Sequence, residues 1–151
     1  MDSSARGANA LPRLWHAWLQ VAVAGVGLFG LACVVLPDAI AAFFNLLIFG
    51  RTWLPPEFGA AAAPYLTFVY GVLGAVMLGW AVLMMMVLEG PFRRGERAGW
   101  LMIAVPMATW FAVDTTWSLA TGYWQNAVLN GAFALAFGVP LAATWRYFRQ
   151  H

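Results

Sequence analysis

The chain has 151 residues, 63% hydrophobic and only 9% charged, with a formal net charge of +2. That leaves too little polar surface to cover a water-soluble globule of this size, so the composition describes a membrane protein. The basic residues are all arginines, placed at the ends of apolar runs rather than along one basic stripe, which points to lipid phosphates and excludes a nucleic-acid partner.

Four apolar runs, about 14–36, 64–88, 98–119 and 127–145, are long enough to cross a bilayer as helices. At about 1.5 Å per residue each reaches roughly 30 Å, the thickness of a hydrocarbon core. They are apolar all round and lack the period-two alternation of barrel strands. The expected fold is all-α: residues 1–151 form a single integral membrane domain, a four-transmembrane-helix antiparallel bundle. With that topology Arg6, Arg13, Arg93, Arg94, Arg97, Arg146 and Arg149 fall on one side and Arg51 alone on the other, which predicts cytoplasmic N and C termini. Trp15, Trp18, Trp100, Trp145 and Tyr147 mark the same inner edge. Trp53, Tyr65, Trp117, Tyr123 and Trp124 mark the outer one, while Trp80 and Trp110 lie deeper.

In the first span, His16 and Gln20 sit one turn apart at the inner edge, where an interfacial histidine is ordinarily solvated or hydrogen-bonded. Cys33 reads as a small core residue, and a single cysteine excludes an intramolecular disulfide or a CxxC redox pair. Ala39-Ile-Ala41 after Pro37 resembles a signal-peptidase site, but the run 14–36 exceeds the roughly 7–15 apolar residues of a signal peptide, so a retained span is expected.

The next segment, 38–50, is too apolar for a plain loop. Asp38 is placed to cap a helix starting near Ala39, with Ile40, Phe43, Phe44, Leu47 and Ile48 at helical spacing up to Gly50. It is expected to be an extra-cytoplasmic interfacial helix, lying on the outer leaflet or folding over the bundle mouth. Leu54-Pro55-Pro56 is then extended. Gly25, Gly27 and Gly30 in the first span and Gly71, Gly74 and Gly79 in the second thin those helices for close approach; the expected product is a tight first-to-second helix contact, and the same faces offer a place for a partner membrane protein or a second copy of the chain. Met84, Met85 and Met86 surround their helix as lipid-facing filler, and Glu89 reads as a solvated end charge. Short connections at 89–97 and 120–125 make the second and third spans one hairpin and the third and fourth another.

Asp114 lies inside the third span, where an ionisable group costs about 2.5 to 3.5 kcal/mol when central. The hairpin is expected to bring Asn126 and Asn130 alongside it, with Thr115 or Thr116 assisting, and helical spacing puts Trp110 and Trp117 on either side of the carboxyl. One reading makes this a polar staple between helices; the other makes Asp114, Asn126, Asn130, Trp110 and Trp117 a proton or ligand site open to the outer face. His151 ends the sequence, and two histidines at these positions cannot ligate one haem. No metal constellation, phosphate loop or nucleophile motif is present, so no cofactor is expected and an enzyme is disfavoured.

The stretch from Trp110 to Gly122 followed by Asn126-Ala-Val-Leu-Asn130 resembles a pattern in small bacterial four-helix membrane proteins, some of them DoxX-like. The resemblance covers the last third of the chain, does not include the apolar segment 38–50, and implies a bacterial inner membrane. Together these features lead to an expected accessory or interaction subunit of a membrane complex. The alternative is a small-molecule or lipid binder, or a proton-coupled carrier, using the Asp114 site.

Overall fold

The computed structural model describes residues 13–149, and every regular element among them is helical. Arg6 and His151 lie outside the described residues. The elements are α1 (Arg13–Val35), α2 (Pro37–Phe49), α3 (Ala62–Val87), α4 (Arg97–Ala120) and α5 (Trp124–Phe148). α1, α3 with its continuation to Phe92, α4 and α5 are each long and apolar enough to cross a membrane, whereas α2 is a shorter apolar helix. The protein is membrane-embedded, and the four expected spans are found with ends shifted by a few residues.

A single residue, Leu36, separates α1 from α2. Asp38 is not the cap expected from the sequence: Leu36 holds the cap position and Pro37 begins the helix. Proline suits that place because its φ is already helical and the N–H it lacks has no partner there. Asp38 falls in the first turn without a capping hydrogen bond, where its charge meets the positive end of the helix. Gly50 closes α2 at φ +69°, donating its N–H to the Leu46 carbonyl over 3.0 Å.

α3 does not stop at Leu88 as expected but widens into a π-helical turn over Leu88–Phe92. Pro91 has no N–H to continue the regular ladder, Gly90 leaves the helical region (φ −96°, ψ −109°), and the Arg93 N–H reaches back five residues to the Leu88 carbonyl at 3.0 Å. In the turn that follows, Arg94 donates to Glu96, which raises the guanidinium pKa. α4 then returns close over this turn. A Cβ on Gly99 would come within 2.8 Å of the Pro91 and Phe92 backbone, so only glycine fits.

α3 packs along α1 and α4 along α5, while α3 and α4 touch little despite their short connection. α4 therefore has α5 as its packed neighbour and meets the α3 span chiefly at the π-helical turn, whereas α3 gives its thin face to α1. At that crossing a Cβ on Gly30 would stand 2.8 Å from the Gly74 carbonyl oxygen, and Gly27 meets the Ala81 side chain. Gly25, Gly71 and Gly79 have nothing within 4 Å of a would-be Cβ, so three of the six glycines make the contact.

The tight core occupies the end of the bundle that carries the α3–α4 turn. Leu19, Val23, Met84, Leu88, Phe92, Ile103, Phe137, Leu141 and Phe148 are buried together there. A hydrogen bond from α1 repairs a defect in this half. Pro140 cannot donate to the Ala136 carbonyl four residues back, and the Trp18 indole N–H does so instead at 3.0 Å. Trp100 likewise donates to the Leu141 carbonyl at 3.0 Å, so two tryptophans expected merely to mark the interface also tie α1 and α4 to α5.

Candidate functional site

The end of the bundle opposite the core is open. α3 and α4 diverge there, and the space between them is a cavity of about 1100 Å³. Leu73 and Tyr70 of α3 form one wall, Val113, Asp114 and Trp117 of α4 the other, and Phe44 and Ile48 of α2 reach over it. Trp80 and Trp110 face each other across the gap where it narrows, their ring centroids 6.5 Å apart. α2 is fixed above by Phe44 stacked on Tyr70 (5.4 Å, 9° between planes) and by the Gln125 amide donating to the Ile48 carbonyl at 3.2 Å.

Asp114 is half-buried in the α4 wall. α4 holds it one turn beyond Trp110 and one turn before Ser118, so all three share a face of that helix. Its carboxylate oxygens both stand 3.5 Å from the Asn126 amide nitrogen, the outer limit of a hydrogen bond. The shorter bonds lie beside it: Asn126 donates to Ser118 Oγ at 2.8 Å, and Ser118 donates to the Asp114 backbone carbonyl at 2.7 Å. Among the described residues no arginine or histidine pairs with Asp114, and none lines the cavity. Tyr70 and Tyr123 are the other titratable side chains on its walls.

The five residues singled out from the sequence are thus placed as follows. Asp114, Trp110, Trp117 and Asn126 all line the cavity. Asn130, 2% exposed, does not reach the carboxylate; its amide donates to Thr115 Oγ1 at 3.3 Å and joins α5 to α4 behind the site. Its position one turn deeper than Asn126 explains the change of partner, because Thr115 projects from α4 at a different angle from Asp114. Trp110 packs edge-on against Phe133 of α5 (6.0 Å, 86°), while Trp117 stays 69% exposed on the outward side.

Two features had no clear signal in the sequence. The contribution of α2 and α3 to the cavity, through Phe44, Tyr70 and Trp80, depends on α3 leaning away from α4. At the opposite end, Glu89 is not a lone solvated charge: it accepts from Gln20 at 2.6 Å and from Arg93 at 3.1 Å, with His16 Nε2 3.6 Å away. His16 Nε2 also lies 3.2 Å from the Leu88 carbonyl, at the π-helical turn. The Gly90-Pro91 pair was the one available hint that this helix end is unusual. Among the described residues no group of three potential metal ligands comes together.

No protein-family model, curated protein or solved structure matches the chain.

Proposed function

We propose that this protein is a non-enzymatic binder of a small amphipathic molecule or lipid, held in the crevice between α3 and α4 with Asp114 as its polar anchor. The observation that carries this is a half-buried carboxylate with no cationic partner among the described residues, on the wall of an apolar cavity of about 1100 Å³. Ligand sites commonly occupy about 300–1,000 Å³, mostly apolar with a few convergent polar groups. A staple between helices needs no such space. Here Ser118 with Asn126, and Thr115 with Asn130, already join α4 to α5, so the carboxylate is not needed for that task.

In the same reading the four long helices form an antiparallel bundle in a bacterial inner membrane, as the DoxX-like resemblance implies. The contacts Trp100–Leu141, Thr115–Asn130 and Ser118–Asn126 support an antiparallel α4–α5 pair, since positions rise on one helix as they fall on the other. The arginines on the α3–α4 turn and at the ends of α1 and α5 support cytoplasmic termini, with the cavity then in the outer half. α2, apolar and seated over the cavity, is then an interfacial lid.

Native mass spectrometry of the gently extracted full chain tests the binding function. The expected spectrum carries a defined small mass that Asp114→Asn removes while the protein stays folded. Equal retention of that mass by Asp114→Asn, or no bound mass at all, contradicts it. The accessory-subunit reading draws on Gly25, Gly71 and Gly79, which the chain itself leaves unfilled and where another helix has room to approach. A stoichiometric second protein in the same spectrum is its signature.

A further inference from the structure

A ligand in the α3–α4 crevice meets one carboxyl group and a wall of rings. The carboxylate of Asp114 offers about four lone-pair sites. Among the described residues its one partner is the Asn126 amide, at 3.5 Å from each oxygen. Asn126 is better engaged with Ser118, at 2.8 Å, and among the described residues no arginine or histidine is on the walls to neutralise the charge. Phe44, Tyr70, Trp80, Trp110, Trp117 and Tyr123 supply the aromatic surface.

From this we infer that the cavity takes a lipophilic monocation, an amine or quaternary onium group carrying an apolar body; the inference rests on the binding function proposed above. Ring faces attract cations, most strongly where water is excluded, so the aromatic lining and the carboxylate favour the same sign of charge. A single positive charge beside Asp114 gives a net-neutral site. An anion meets repulsion from the carboxylate, and a dication leaves one charge uncompensated in a poorly solvated space. A neutral molecule fills the volume, and a hydroxyl or amide on it can donate to Asp114, but it leaves the carboxylate charge unbalanced. About 1100 Å³ accommodates a body of several rings.

Entry follows from the same geometry. α3 and α4 touch little, so the crevice faces the surroundings of the helices sideways as well as beneath α2. A lipophilic cation concentrates at the headgroup level of a bilayer, the level at which Trp117 and Tyr123 stand in the proposed orientation.

The test uses the full chain in nanodiscs of zwitterionic lipid, with tetraphenylphosphonium as the cationic probe and triphenylphosphine oxide as a neutral probe of related shape. Tryptophan fluorescence reports occupancy, since three indoles line the cavity. The expected result is binding of the cation in preference to the neutral probe, weakened about ten- to a hundredfold in Asp114→Asn, with the neutral probe unchanged. Asp114→Glu keeps the charge and retains the preference. Thermal unfolding of each variant separates lost binding from lost fold. Equal binding of both probes, indifferent to Asp114→Asn, overturns the cationic class while leaving a binding cavity. Failure of both probes to bind, together with failure of a neutral single-chain alcohol, overturns the binding function as well.

Discussion

Replacing Gly74 by alanine adds one methyl group at the closest point between α1 and α3. Built on the existing backbone, that Cβ would lie 2.4 Å from the Gly30 carbonyl oxygen and 2.6 Å from Cys33 Cβ, against an ordinary contact of 3.4–4 Å. The obstacle is a backbone carbonyl on a long helix, which has no rotamer by which to move aside. The helices must separate by about 1 Å, and the dispersion lost along their shared face puts the cost at about 1–3 kcal/mol. Alanine's better helix propensity offsets at most about 1 kcal/mol of this. Gly71→Ala, one turn earlier with nothing within 4 Å of its would-be Cβ, gains that propensity without the collision. Thermal unfolding in one detergent, followed by near-UV circular dichroism, should rank Gly71→Ala at or above wild type and Gly74→Ala clearly below it. If both variants melt together, the close approach of α1 and α3 is not what holds them.

Two further outcomes follow from the packed half of the bundle. Trp18→Phe leaves the Ala136 carbonyl without a donor and should cost about 0.6–1.5 kcal/mol in unfolding experiments; Pro140→Ala restores the helix's own N–H, so in that background the same change should cost markedly less. Gly99→Ala should destabilise by about 1–3 kcal/mol because its Cβ meets the Pro91–Phe92 backbone, whereas Gly131→Ala, with open space around it, should be neutral or stabilising; equal melting temperatures for the two would refute the close packing of α4 on the π-helical turn.

The spans were legible because each is a long apolar run between polar or helix-breaking residues, a signal that depends only on order along the chain. The rotation of each helix about its axis was not legible. Apolar residues surround α3 and α4, so no stripe marks the face that meets a neighbour; the glycines pointed to the α1–α3 pair that forms, but not to how far α3 would stand from α4. Gly30 and Gly74 carried the correct partnership, yet Gly25, Gly71 and Gly79 looked identical to them. Asp114 stood out because its charge is costly wherever it faces. Its relation to Asn126 followed from the short turn between α4 and α5, while the diversion of Asn130 to Thr115 required knowing the angle between two helix faces. The Trp18–Ala136 bond joins residues far apart in sequence, and Pro140 states only that some donor is missing. The cavity is the least legible feature of all, because it is made by the sparse contact between α3 and α4.

Trp80 and Trp110 span the narrow part of that gap with their rings 6.5 Å apart and 52° between planes. Two indoles this close and this inclined couple their excited states, and the coupling weakens steeply with separation. Movement of α3 relative to α4 therefore changes an optical property of the unlabelled protein. Trp15–Trp18 and Trp100–Trp145 are closer pairs elsewhere in the bundle, so the crevice's own ruler is the part of the exciton circular dichroism that Trp80→Phe removes, and it follows the width of the gap without an attached probe.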